Sequence, residues 1–427
     1  MPAHEPSART YDLLVIGGGI NGCGIARDAA GRGLSVLLVE KADLAAATSS
    51  ASSKLIHGGL RYLEHYEFRL VAEALAEREV LLRVAAHLVW PVRFIMPHVP
   101  ELRPRWMIRA GLFLYDHLSR RASLPGSSAV RLDAAPFSAG LKPGVRHGFV
   151  YSDCRVDDAR LVVANAMSAR QLGATVLTRT ECLGARREGG LWRAELSNGA
   201  RPAARAIVNA AGPWVKRVLN ERLAQPSRDA VRLVRGSHIV LPRLYEGDHA
   251  FIPQNDDRRV VFMIPYGDLH TLVGTTDVAE TQDAAPARPA ASEAEVEYLC
   301  RAVNRYLARP AEPSQVVWRY AGVRPLYDDG SADPSAVTRD YTLRVDDAGG
   351  AAPVLSVFGG KSAHADAVVA DGDLGEGYGA GLTERELRYF AEHEWAQSAE
   401  DVLWRRTKAG LLMNDAQRAR VAAVLGR

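Results

Sequence analysis

The stretch Tyr11–Glu40, YDLLVIGGGINGCGIARDAAGRGLSVLLVE, decides the fold. Tyr11 to Ile16 is an apolar run of strand length, and Gly17-Gly18-Gly19-Ile20-Asn21-Gly22 matches G-x-G-x-x-G at the point where a helix should open. Gly17 allows the tight turn, Gly19 lets backbone approach a pyrophosphate, and Gly22 lets helix and strand pack closely. The helix passes Asp28 and Ala29 and ends around Gly31 to Gly33. Leu34 to Val39 is then a second buried strand, which delivers Glu40 to its C-terminal end. A carboxylate there accepts the ribose hydroxyls of an adenosine and repels a 2′-phosphate, so NADP is disfavoured. A glycine fingerprint alone is weak in a chain with 37 glycines. Strand, glycine turn, helix, strand and terminal acid in one short unit predict a dinucleotide-binding fold, with NAD and FAD both open.

The rest of the chain sets bounds. With 427 residues, 47% hydrophobic and 24% charged, it has an ordinary globular composition, long enough for two or three domains. A formal charge of +3 provides no global field for nucleic acid. Cys23, Cys154, Cys182 and Cys300 form no C-x-x-C pair and have no metal-ligand spacing, so they read as reduced thiols of a cytoplasmic protein, with no metal site. Met1 to Thr10 reads as a loose tail and not a signal peptide. No uncharged run reaches spanning length, which limits any membrane contact to a peripheral one.

Past Glu40, Ala45–Glu64 (AAATSSASSKLIHGGLRYLE) combines small residues, which let backbone run close to a planar ligand, with Ser, Lys, His and Arg donors. Glu67 to Val84 has helical spacing and Glu/Arg pairs, and reads as a solvated helix. Arg103 to Arg121 is apolar almost all round, with Trp106, Met107, Ile108, Leu112, Phe113, Leu114 and Tyr115 between arginines. A buried helix and an interfacial anchor both fit that pattern. Asp157–Leu172 reads as a helix closed by Gly173, with strands at Thr175–Thr178 and Arg205–Val208. Val231 to Asp277 reads as antiparallel strands with polar turns, and Ala284–Ala291 as a surface loop. Capping boxes open helices at Ser292-Glu293-Ala294-Glu295 and Thr383-Glu384-Arg385-Glu386.

The block Thr48–Glu64 resembles the signature of FAD-dependent, respiratory glycerol-3-phosphate dehydrogenases. The resemblance continues through EALAEREVLL (73–82), LRPRWMIRAGLFLYDHL (102–118), YSDCRVDDARLVVANA (151–166), VNAAGPWV (208–215), GSHIVLPR (236–243), GTTDV (274–278), GVRPL (322–326), TRDYTL (338–343) and SVFGGK (356–361). It implies an α/β fold: a Rossmann-like FAD-binding domain of the glutathione-reductase type, an antiparallel α+β substrate domain, and a short helical C-terminal remnant. The expected division is 11–75, 145–225 and 345–371 for the FAD domain, 76–144 and 226–344 for the substrate region, and 372–427 for the remnant. After Lys361 the pattern departs from the family. Ser362-Ala363-His364-Ala365-Asp366 leads directly into the glycine-rich Gly372–Gly381, and LWRRTKAGL (403–411) resumes the resemblance, so an internal block is missing.

The resemblance implies oxidation of sn-glycerol 3-phosphate by hydride transfer to FAD, with a membrane quinone as acceptor, a peripheral position on the inner face of the cytoplasmic membrane, and room for a homodimer. Arg61 and Arg324 suit the phosphate, because guanidinium binds it bidentately and stays charged when desolvated. Tyr62 adds a neutral donor. His238, ranked above His57, is the candidate base, and Lys361 stabilises negative charge on substrate oxygen or flavin. The cofactor set is Gly17, Gly19, Asn21, Gly22, Glu40, Ser49, Ser53, Lys54, Leu55, Ala211, Gly212 and Gly360. Two alternatives stay open: an oxidase of glycerol 3-phosphate or of an amine that uses oxygen, and a shortened non-catalytic paralogue.

Overall fold

A computed structural model of the chain describes residues 9–99, 104–119, 123–227, 229–255, 257, 259–280, 289–328, 341–347, 349–359 and 375–425. Most of the N-terminal tail, most of the Ala284–Ala291 loop, and Gly360 with Lys361 lie outside these residues. The described chain divides into two units. One comprises Met1–Ser50, Asp158–Leu233 and Arg324–Arg427; the other comprises Ala51–Asp157 and Val234–Val323. The division therefore falls at Ser50/Ala51 and Val323/Arg324, where the sequence reading draws 75/76 and 344/345.

The first unit is the expected dinucleotide-binding fold. Its sheet runs in the order Thr342–Asp346, Val354–Phe358, Ala203–Asn209, Thr10–Ile16, Val36–Val39, Thr175–Leu177. Val15 pairs with both Leu38 and Val208 in parallel register, and only the edge strand Thr342–Asp346 in that series is antiparallel to its neighbour. All four residues of Val36–Val39 are buried, as parallel strands covered on both faces require. The fingerprint helix Ile20–Gly31 and the helix Asp158–Gln171 share one apolar cluster through Ala26, Ala29, Ala30, Ala159, Val162, Val163 and Ala166. Small side chains at these positions allow close packing of the two backbones.

The C-terminal segment belongs to this unit and has a core of its own. A short hairpin, Gly377–Gly379 with Leu382–Thr383, leads into the helix Glu384–His393. Tyr378, Leu382, Leu387, Phe390, Val402 and Leu403 are among the buried residues there. The capping box at Thr383 is present as read, with Thr383 Oγ1 accepting from the Glu386 amide and Glu386 returning to the Thr383 amide.

The second unit is built on a ten-stranded sheet. Its Val231–Pro242, His270–Gly274 and Phe262–Tyr266 strands are antiparallel, as expected from their alternation with polar turns. One pairing, Ala250–Phe251 with Val89–Pro97, is parallel. The helix Glu293–Asn304, opened by the expected capping box at Ser292, packs Val296, Leu299, Cys300 and Val303 into the cluster that contains Ile239, Leu241, Phe251 and Val273.

Two helices differ from their sequence reading. Phe68–Val84 was expected to be solvated, but it buries a stripe of Val71, Leu75, Arg78 and Leu81. That stripe follows helical spacing, with an arginine in an apolar position. Arg105–His117 is not apolar all round in the fold but has two faces: Ile108, Leu112 and Tyr115 are buried, whereas Trp106, Met107 and Phe113 are exposed. No helix of the described residues is long and apolar enough to cross a membrane. All four cysteines are free and buried.

Candidate active site

In the first unit the glycines act by what they omit. Gly17 has φ +115, a left-handed conformation, and a Cβ there would lie 2.5 Å from Ala210 O. A Cβ on Gly22 would lie 1.9 Å from Gly17 O, which no packing adjustment accommodates. A Cβ on Gly19 would meet only Ser49 Oγ, at 3.2 Å. The loop is held from outside itself. The Ile20 amide donates to Ser49 Oγ at 3.0 Å, and Asn21 Nδ2 donates to Gly359 O at 3.0 Å. The first turn of the helix has no acidic residue, which leaves its positive end to an anion. Ala211 and Gly212 follow directly on Ala210, whose carbonyl crowds Gly17, so the NAAGP block runs beside the fingerprint.

Glu40 ends its strand as read from the sequence. Its Oε2 accepts from the Gly18 amide at 2.7 Å and its Oε1 from the Ala42 amide at 2.8 Å. Burial pushes the carboxyl above its ordinary value, opposed by the two amides and by Lys41. Each carboxylate oxygen carries two acceptor sites, so both can still receive a ribose hydroxyl. The crowded glycine turn, the open helix end and the terminal carboxylate all fit a dinucleotide.

In the second unit the site is made of buried polar side chains. His238 lies on the strand Val231–Pro242, opposite Gly274. A Cβ on Gly274 would fall 2.1 Å from His238 Cδ2, so glycine is what admits the ring. The imidazole stacks on Tyr320 with centroids 4.9 Å apart and an interplanar angle of 12°, and its Nε2 lies 2.9 Å from Ser53 Oγ. Lys54, with a left-handed φ of 58, places Nζ over the same Tyr320 ring. Tyr320 in turn donates to Ser52 O at 2.8 Å. Ser53 and Lys54, read as cofactor residues, thus gather with His238 about one aromatic ring.

A second layer fixes the strand. Glu295 Oε1 accepts from Ser237 Oγ at 2.7 Å and from Thr276 Oγ1 at 2.8 Å, while its other oxygen completes the Ser292 capping box. Burial pushes this carboxyl up, but hydrogen bonds from Ser292, Ser237 and Thr276 outweigh that and hold it below its ordinary value.

The HGGLRY loop has its own anchor. Gly58 N donates to Tyr115 Oη at 3.0 Å, and Tyr115 Oη donates to both oxygens of Asp153, at 2.9 and 2.8 Å. Arg78 Nη1 closes the group on Asp153 at 2.6 Å. Burial pushes the Tyr115 hydroxyl well up, so it remains a donor. His57, Arg61 and Tyr62 are carried by this loop, and the latter two sit on the short helix Leu60–His65. Leu55 pairs with Arg155 in a two-residue strand. Arg324 is half-buried on Trp318–Tyr327. Sequence reasoning missed Tyr320, Gly274 and the Arg78–Asp153–Tyr115 group. Only Arg78 left a signal, as a charge at an apolar-stripe position.

Residues 12–349 match the model of the FAD dependent oxidoreductase family, DAO. The chain belongs to that family. The glycerol-3-phosphate dehydrogenase of Pseudomonas aeruginosa is 50% identical, covering 99% of this chain and 97% of the relative. The aerobic glycerol-3-phosphate dehydrogenase of Escherichia coli is 47% identical over 97% of each. D-erythritol 1-phosphate dehydrogenase of Brucella abortus is 45% identical over 96% of each. Among solved structures, glycerol-3-phosphate dehydrogenase from Bacillus halodurans complexed with FAD superposes with a TM-score of 0.61 at 26% identity, covering 83% of this chain and 62% of that one. The alignment with the Pseudomonas relative extends over 501 positions, more than this chain's 427 residues, as a missing internal block requires. The family's cofactor is FAD, which sets NAD aside.

Proposed function

We propose that this protein oxidises sn-glycerol 3-phosphate to dihydroxyacetone phosphate and passes the electrons to a quinone. The observation that carries this reading is the buried His238, clamped by Ser53 and Tyr320, in a chain half identical to a glycerol-3-phosphate dehydrogenase. Bound FAD supplies the two-electron acceptor for the hydride. His238 takes the proton of the C2 hydroxyl, and its stacked, hydrogen-bonded ring is fixed for that transfer. Arg61 and Arg324 hold the phosphate with Tyr62 as a neutral donor, and Lys361 stabilises charge on the substrate oxygen. His57, at the head of the same loop, is the second candidate for the base.

Peripheral membrane attachment, which quinone access requires, is supported by the Arg105–His117 helix. Trp106 is 71% exposed and Phe113 56%, beside the exposed Arg105 and Arg109. Aromatic rings at headgroup depth with arginines on anionic lipid are the signature of an interfacial helix.

The resemblance to the erythritol-phosphate enzyme favours a second reading, in which a longer polyol phosphate occupies the same site. An anaerobic absorbance spectrum before and after each substrate decides between them. Bleaching of the flavin by glycerol 3-phosphate at lower concentration than by D-erythritol 1-phosphate, followed by recovery on adding a soluble quinone, is the expected result. A flavin that only the tetritol phosphate bleaches overturns the substrate, and one that neither bleaches overturns the activity.

A further inference from the structure

The C-terminal segment reaches the loop immediately after Glu40. Asp43 is buried and receives two consecutive arginines: Arg405 Nε at 2.7 Å, and Arg406 through Nη1 at 2.5 Å and Nη2 at 2.9 Å. Arg405 also pairs with Asp401 and Glu400, Arg179 with Asp401, and Arg160 with Glu394. Four arginines thus meet four carboxylates, and Arg406, Asp43 and Glu394 are almost wholly withdrawn from solvent. A buried group of this kind holds only while every charge is matched, so its geometry is tightly specified.

The same network fixes the Glu40 loop on both sides. The Arg179 amide donates to Ala42 O and the Thr180 amide to Glu40 O, each at 2.8 Å. Ala42 donates to the Glu40 carboxylate itself. Two residues past Asp43, the Ala45 amide donates to Gly18 O at 3.0 Å, which returns the loop to the glycine fingerprint.

We propose that Asp43, Arg405 and Arg406 are positioning residues for the Glu40 carboxylate, so that the C-terminal segment holds the adenosine end of the FAD site. The inference rests on the FAD reading alone and not on the identity of the substrate. It also gives the segment beyond the missing block a task that does not depend on that block.

The test is a double-mutant cycle on FAD affinity, read on the holoenzyme as free-flavin fluorescence released on dilution. Asp43→Asn should weaken FAD by about tenfold or more, the common effect of losing the outer partner of a ligating group. In a Glu40→Gln background the same change should cost much less, because the carboxylate it positions is gone. Arg406→Lys, which keeps the charge and loses the two-pronged contact, runs the same cycle and stands in if Asp43→Asn does not fold. Affinity unchanged in both variants, or losses that multiply independently of Glu40, overturns the proposal. Substrate bleaching is read separately, so its failure leaves this result intact.

Discussion

The dinucleotide-binding unit and the sheet unit make their sites in opposite ways. In the first, space is the functional element: Gly17 and Gly22 work because a Cβ would strike backbone at 2.5 and 1.9 Å. In the second, His238, Asp153, Arg78 and Tyr115 are buried polar groups that must find partners, and do. The first kind of site tolerates no added atom. The second depends on the pairing of buried groups, although Arg78 Nε itself has no hydrogen-bond partner among the described residues.

The largest effect expected from this contrast is at Gly22. Gly22→Ala should yield protein that purifies without flavin, measured as flavin absorbance per protein, because the new methyl and the Gly17 carbonyl cannot share one place. Retention of full FAD occupancy would break the comparison on its first side.

The second side is sharpened at Arg78. Arg78→Met strands the buried Asp153 and should lower unfolding free energy by about 3–5 kcal/mol, the usual result of removing one partner of a buried pair. Arg78→Met with Asp153→Leu should recover a large part of that loss in the same denaturant titration. If the double variant is as unstable as the single one, the pairing of charges is not what governs the site.

A smaller effect is tied to pH. Burial among Phe137, Tyr245 and Phe251 pulls the His249 imidazole down to about 4. Between the ordinary value of about 6.5 and that lower one, the unfolded chain binds a proton that the folded chain refuses, so stability falls as pH falls through this window. The loss should approach roughly 2–3 kcal/mol by the acid end, at about 1.4 kcal/mol per unit. His249→Phe should flatten the urea midpoint between neutral and acid pH, and an unchanged slope would place the sensitivity elsewhere.

What could be read from the sequence follows the same division. A glycine fingerprint, a capping box such as Ser292–Glu295 and a strand such as Val36–Val39 are written within a few neighbouring residues. Their physical causes are local, and they stand where the sequence indicated. Arg78 and Asp153 are joined across 75 residues and Asp43 and Arg406 across 363, and nothing near either end announces its partner. The many Glu and Arg residues of Glu67–Val84 therefore read as a solvated helix until the fold put Arg78 inside. For the candidate site, the residue types were legible through the family's blocks. The Ser53 contact to His238, the Tyr320 stack and the Gly274 recess depend on strand register and were not.

The buried cysteines equip the molecule with its own clocks. Cys23 and Cys182 lie in the dinucleotide unit, Cys154 and Cys300 in the sheet unit, and burial raises every one of their thiols, Cys182 to about 11 and Cys154 to about 12. A thiolate-seeking reagent therefore finds almost nothing to attack in the closed protein. Each modification event instead marks a transient opening of the unit that carries the thiol, so alkylation followed residue by residue would time the breathing of each half of the chain separately.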